Sequence, residues 1–219
     1  MTNIGVMIGS RSDLGQCKVG AWFLEQAERE GKARLVAFLV NSIHRNTLEV
    51  LANLHRYSIE LAERQKIAIT LRAIRATIIG SDVDDGIIGR LIEMYEEPIV
   101  AKVDRWIIGA GMANHLTGTC DSFLRFGLKV PVPVYGAIFE SASGDEELDR
   151  ENRQAAILSI TKVPGTKVIF DPENPTFTNA CRLALEQEAP VIELALPKPT
   201  ESFISIAVVK SAIELALKK

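Results

Sequence analysis

What this chain most plainly lacks is charge of one sign: 25 lysines and arginines stand against 28 aspartates and glutamates, a formal net charge of −3. Without an overall basic field, the chain has no global means of drawing in nucleic acid or an anionic membrane surface. Any anion must be held by local geometry. Cysteine is equally scarce. Cys17, Cys120 and Cys181 are the whole complement and show no CxxC or metal-ligand spacing. An odd number of them argues for a reducing compartment over a disulfide framework. No apolar run reaches the length of a membrane span, about 18 residues. The first strand begins within four residues of the start, without the basic and apolar regions of a secretory leader. A cytoplasmic protein is expected. Neither a GxGxxG fingerprint nor a GxxxxGK[ST] loop occurs, so readings built on nucleoside triphosphates lose support.

What is present is regular alternation. At 219 residues and 47% hydrophobic content, the chain suits one α/β domain with a substantial core. Short apolar runs at 3–9, 33–40, 76–80, 104–111, 132–139 and 166–170 predict strands. Helical periodicity at 13–30, roughly 47–65, 86–97 and 176–188 predicts helices, and Asp13 stands at the natural N-cap of the first. The strands are too apolar to face water on either side, which implies a parallel sheet with helices on both faces. Residues 1–189 form the domain. The remainder, 190–219, is a C-terminal extension with an amphipathic helix at about 202–217, expected to make oligomer contacts.

In sheets of this kind ligands sit beyond the carboxyl ends of the strands, and three clusters fall there. After the first strand comes "GSRSD". Gly9 permits a tight turn, the following amides point outward at the positive end of a helix, and Ser10 and Ser12 add hydroxyl donors, a set able to hold a phosphate. The plainer alternative is that Ser12 and Asp13 merely cap the helix. After the second strand comes "SIHR", Ser42 to Arg45. Arg45 can bind a phosphate through both arms of its guanidinium, and His44 beside it is suited to general acid–base work. The alternative is a surface His-Arg pair opening a helix. After the strand ending at Ile108 comes "GAGMANHLTG", in which Gly109, Ala110 and Gly111 allow a ligand close to the backbone and His115 and Thr117 supply polar groups. Those glycines can equally ease a strand-to-helix turn. Two of the chain's three histidines lie in these loops, whereas His55 reads as a surface or packing residue inside a helix.

In this order "GSRSD", "SIHR" and "GAGMANHLTG" resemble the Gly-Ser-x-Ser-Asp, Ser-Ala-His-Arg and Ala-Gly-x-x-x-His-Leu-Pro-Gly signatures of the aminoimidazole ribonucleotide carboxylase family of purine biosynthesis. The segment "LSITKVPG" (158–165) is similar to the family's Leu-Ser-Ile-Val-Gln-Met-Pro-Gly, and Asn179-Ala180 to the Asn-Ala opening its next helix. The resemblance covers roughly residues 3–66, 102–140 and 155–188. It implies a three-layer α/β/α sandwich with a parallel flavodoxin-like sheet, a homo-octamer with active sites between subunits, and neither metal nor organic cofactor. It implies N5-carboxyaminoimidazole ribonucleotide mutase activity, which moves a carboxyl group from N5 to C4 of the imidazole. By position, Ser10, Ser12, Ser42 and Arg45 would hold the phosphate and Asp13 the ribose hydroxyls. His44 would be the general acid and base. Gly9 belongs to the phosphate turn, and the loop of Gly109, Ala110, Gly111, His115 and Leu116 would enclose the imidazole and its carboxyl group.

The chain departs from the family's pattern at Ile43 (Ala), Thr117 (Pro) and Lys162-Val163 (Gln-Met). "DPENPTF" replaces Gly-Lys-Ala-Gly-Ala, and residues 67–101 look inserted. "SDLGQCK" is reminiscent of the branch that carboxylates directly with CO2, whereas His115 points to the mutase branch. Two further readings therefore stand beside the mutase: a CO2-dependent carboxy-lyase, and a diverged relative that binds another sugar phosphate or serves without catalysis.

Overall fold

The structure is a computed structural model that describes residues 1–78, 86–112, 114–141, 143–162, 165–186 and 188–192, with 194, 208–210 and 213. Strands β1 (Thr2–Ile8), β2 (Ala33–Val40), β3 (Arg105–Ala110) and β4 (Val134–Ile138) make one all-parallel sheet in the order β2-β1-β3-β4. The strand order reverses at β1, which has β2 on one side and β3 on the other, so the crevice beyond β1 and β3 is the topological switch point.

Helices cover both faces. Ile4, Val6 and Ile8 of β1 and Ile107 of β3 pack against α1 (Lys18–Arg29) and α7 (Phe177–Glu186), meeting Leu24, Ala27, Phe177, Cys181 and Ala184. On the other face Met7, Trp106, Ile108 and Val134 meet α2 (Thr47–Ser58) and α5 (His115–Ser122) through Val50, Leu54, Leu116 and Cys120. Helix α6 (Glu146–Thr161) lays Ala156 and Ile160 against Ile138 at the β4 side. Most of these strand side chains are fully buried, and each large aliphatic one contributes about 1.5–3 kcal/mol. The chain is thus an α/β three-layer sandwich with a flavodoxin-like parallel sheet.

Several element boundaries differ from the sequence reading. The helix predicted over 47–65 is two helices, α2 and α3 (Leu61–Ile78). The chain leaves the first at Ile59 in extended conformation (φ −110°, ψ 163°), where the Tyr57 carbonyl accepts from Val103 N–H and Ser58 Oγ from the Trp106 indole. The strand predicted at 76–80 does not form at its described residues. Ala76, Thr77 and Ile78 are the last turn of α3, and residues 79 and 80 lie outside the described residues. The β-branched apolar run has the composition of a strand, but α3 pairs with α4 (Gly86–Glu96), and Ile67 and Leu71 pack with Leu91, Met94 and Tyr95. Residues 67–101 therefore include the later part of α3 and all of α4. The predicted strand at 166–170 reduces to a single parallel bridge between Ile169 and Tyr135. Its ladder cannot extend backward because Lys167 N–H is bound to the Asp121 carboxylate (3.0 Å). Of the helix predicted at 202–217, residues 208–210 and 213 are helical and the others lie outside the described residues. No helix among the described residues is long and apolar enough to cross a membrane.

Candidate functional site

The three clusters leave the sheet side by side. Ile8 is in register with Gly109, the Gly9 N–H donates to the Gly109 carbonyl (2.9 Å) and the Asn41 N–H to the Ile8 carbonyl (2.9 Å). The first and third loops then touch. A Cβ on Gly9 would lie 2.8 Å from the Ala110 Cβ, and one on Gly109 would meet Phe139 at 2.8 Å. Glycine at both positions is a packing requirement at the point where the two turns separate.

The first turn is a 3-10 helix, Arg11–Cys17, leading into α1. Ser10, not Asp13, is its N-cap: extended backbone there lets Ser10 Oγ accept from the Ser12 N–H (3.3 Å). The tighter helix at this point suits Ser12 and Asp13, whose short polar side chains compete for local backbone groups. The two serine hydroxyls lie 2.8 Å apart on the exposed surface. Asp13 is buried in the first turn, 8% exposed. Its Oδ1 accepts from Ser12 Oγ (3.4 Å), while Oδ2 has no hydrogen-bond partner among the described residues. Burial holds its carboxyl above the ordinary value, partly offset by the hydrogen bond from Ser12. Gln16 ties this turn to the end of β4: its amide nitrogen donates to the Glu140 carbonyl and its amide oxygen accepts from the Glu140 N–H, each at 2.9 Å.

The second loop closes on the Ser42 carbonyl, which accepts from Arg45 N–H (3.2 Å) and Asn46 N–H (2.9 Å). Thr47 Oγ1 donates to the Ile43 carbonyl, and Ile43 packs against the α2/α5 core, so the residue larger than alanine has a place to go. With Ile43 turned inward, His44 and Arg45 are exposed.

The third loop brings His115 to His44. The His115 Nδ1 and His44 Nε2 atoms are 3.4 Å apart and the rings meet edge to face, centroids 5.3 Å apart. His115 is the first residue of α5, and Asn114 is its N-cap in the left-handed conformation (φ 36°). Asn114 Oδ1 accepts from the Thr117 N–H (3.3 Å) and Asn114 Nδ2 donates to the Ala137 carbonyl of β4 (2.8 Å). Thr117, fully buried, sits with its hydroxyl 2.8 Å from Asn114 Oδ1 and 3.0 Å from the Ile108 carbonyl of β3. Leu116 is buried in the core beneath.

The fold thus joins Gly9 to Gly109 and Ala110, Ser10 to Ser12 and Asp13, and His44 to His115. It does not join Arg45 to the serines by any hydrogen bond among the described residues. Arg45 instead lines a cleft of about 210 Å³ between α2 and α4, with Glu49 and Arg90. His115 lines a separate groove of about 540 Å³ with Leu51, Phe123, Phe126 and Ser159. Of the other motif residues, Asn179 is structural: its Nδ2 binds Asp171 Oδ2 (3.1 Å) and the Asn174 carbonyl (2.8 Å), stitching "DPENPTF" to α7. Lys162 is exposed at the C-cap of α6, and Val163 and Pro164 lie outside the described residues. His55 is a packing residue bonded to the Tyr95 hydroxyl, and desolvation lowers its pKa. The sequence reading passed over Asn114 and Gln16. The signal for Asn114 was available, since asparagine immediately before a helix is a preferred N-cap residue. No group of three or more histidine, cysteine or acidic residues placed to hold a metal occurs among the described residues.

Set beside known proteins, the chain matches no family model and no curated sequence significantly. The fold and the strand-end site therefore define its class: a parallel three-layer α/β protein with a histidine pair at the switch point.

Proposed function

We propose that the protein binds a ribonucleotide monophosphate across the strand ends and moves a carboxyl group on its imidazole ring, as N5-carboxyaminoimidazole ribonucleotide mutase does, within a homo-oligomer, an octamer on the family's pattern. The single observation that supports this most is the meeting of His44 with His115 across the loops that follow β2 and β3.

In this reading the Ser10 and Ser12 hydroxyls and the amides of the 3-10 turn face the phosphate, with Arg45 and Ser42 closing on it from the second loop. Asp13 accepts from the ribose hydroxyls, which gives its free oxygen the donors it lacks. The substrate's N5–carboxyl bond breaks to release CO2, and His44 delivers a proton to the nitrogen left behind. The electron-rich C4 then adds to the carbon of CO2, and His44 takes the C4 proton, so the enzyme ends in its starting protonation state. One shuttle serves both steps because both proton positions lie on one small ring. Backbone amides of the glycine loop from Gly111, where the chain leaves β3, would hold the carboxylate, and a closed loop keeps CO2 at high effective concentration.

The test is turnover by the purified protein on two substrates: N5-carboxyaminoimidazole ribonucleotide, and aminoimidazole ribonucleotide with bicarbonate. Conversion of the first alone is the expected result. Conversion of the second assigns the direct carboxylase reaction instead. Conversion of neither, with no binding of either ribonucleotide, overturns the proposal.

A further inference from the structure

His44 and His115 meet ring to ring at the surface of the strand-end loops. Neither ring is buried, and His115 follows directly on a left-handed residue at the start of a helix. An exposed ring on a strand-to-helix turn ordinarily samples several rotamers, so a fixed approach to its partner needs a fixed backbone. That backbone is fastened on both sides of His115. Asn114, 2% exposed, is bound through Nδ2 to the Ala137 carbonyl. Thr117 is 0% exposed and has its hydroxyl within reach of the Ile108 carbonyl. Ile108 and Ala137 belong to β3 and β4, neighbouring strands of the sheet. Asn114 Oδ1 and the Thr117 hydroxyl close the square at 2.8 Å. His115 is thus tied to the sheet itself through two side chains that never reach the surface.

We infer that Asn114 and Thr117 are positioning residues: their buried hydrogen-bonded clamp across β3 and β4 sets the ring of His115 against His44 and so fixes which nitrogen of each histidine carries the proton. Asparagine suits the role because it adopts left-handed backbone with little strain and offers a donor and an acceptor at once. Threonine offers a hydroxyl whose one proton is shared between two oxygens. The inference rests on the proposed function for its catalytic consequence, but the ring geometry can be measured without any turnover.

The experiment is long-range proton–nitrogen NMR of the histidine rings in the full chain, on the wild type and on Asn114→Gly, Thr117→Val and Thr117→Ser. Asn114→Gly keeps the left-handed backbone accessible and removes only the side-chain clamp. In the wild type each of His44 and His115 is expected in a single tautomer, with a coupling across the Nδ1···Nε2 contact. In Asn114→Gly and Thr117→Val the coupling is lost and the tautomers mix, and Thr117→Ser restores both. If turnover is found, kcat falls about a hundredfold in the first two variants with KM unchanged, the scale expected when a reacting group is misplaced by about an ångström. Mixed tautomers and no coupling in the wild type overturn the inference even if no variant folds. So does a folded Asn114→Gly or Thr117→Val protein with wild-type ring signals. Absence of turnover alongside the expected ring signals counts against the proposed function alone.

Discussion

The turn after β1 and the turn after β3 lie side by side, joined by the Gly9 to Gly109 hydrogen bond, yet they are held in opposite ways. Around Ser10 and Ser12 the polar groups are exposed and bonded mostly to one another, and the one buried group, Asp13, has an oxygen with no partner. Around His115 the polar groups that fix the backbone are buried and bonded to carbonyls of two strands. The first turn presents its serine hydroxyls to solvent and keeps one carboxylate oxygen buried with no partner among the described residues. The third is complete before any ligand arrives. A phosphate and a ribose bring many acceptors and donors of their own, whereas a proton transfer needs a base fixed to a few tenths of an ångström. The difference matches a division between holding and reacting.

Four substitutions break or sharpen that contrast, taken from the largest expected effect down. His44→Asn should lower kcat by about 10²–10⁴-fold, the usual contribution of a general acid or base, while calorimetry finds ribonucleotide affinity unchanged. Retained turnover would remove His44 as the shuttle. Arg45→Ala should weaken ribonucleotide binding by about 2–3 kcal/mol, as for a charge-assisted hydrogen bond, with a smaller loss for the nucleoside lacking phosphate; equal losses would place Arg45 away from the phosphate. Gly9→Ala places a methyl 2.8 Å from the Ala110 Cβ and should cost about 1–3 kcal/mol of stability by overpacking, read from denaturant midpoints.

The smallest effect has the opposite sign. Burial raises the Asp13 carboxyl above its ordinary value of 3.8, so the folded chain holds this proton more tightly than the unfolded one. The contribution of Asp13 to stability is then greatest below pH 3.8 and falls as pH rises through the folded value. Asp13→Asn should flatten that fall and stabilise the ligand-free protein at neutral pH by about 1 kcal/mol, while abolishing the preference for ribose over deoxyribose. A destabilised Asp13→Asn protein would mean that the carboxylate serves the fold.

The alternation of apolar runs made the sheet and its three strand-end loops legible, because strands buried on both faces must be apolar throughout. Histidine scarcity made two of the loops stand out. What sequence pattern could not separate was the strand-like run "ATIIG", whose described residues, 76–78, end α3, a helix that lies alongside α4. Likewise α6 buries only Ala156 and Ile160, too little for a periodic signal. At the site, "SRSD" showed the polar groups but not that Ser10 caps and Asp13 is buried, because the cap falls on whichever residue is last to be extended. Thr117, which stands where the resembled family has proline, is the most buried polar group of that loop, its hydroxyl within hydrogen-bond reach of β3 and Asn114.

Amide hydrogen exchange on the full chain, with and without aminoimidazole ribonucleotide, tests the division between the two turns most directly. The account expects the amides of Ser10 to Ser12 to exchange rapidly alone and to gain protection with the ribonucleotide, while the amide of Thr117, bound to Asn114 Oδ1, is protected in both states. Protection that appears only at the third turn, or at neither, would contradict it.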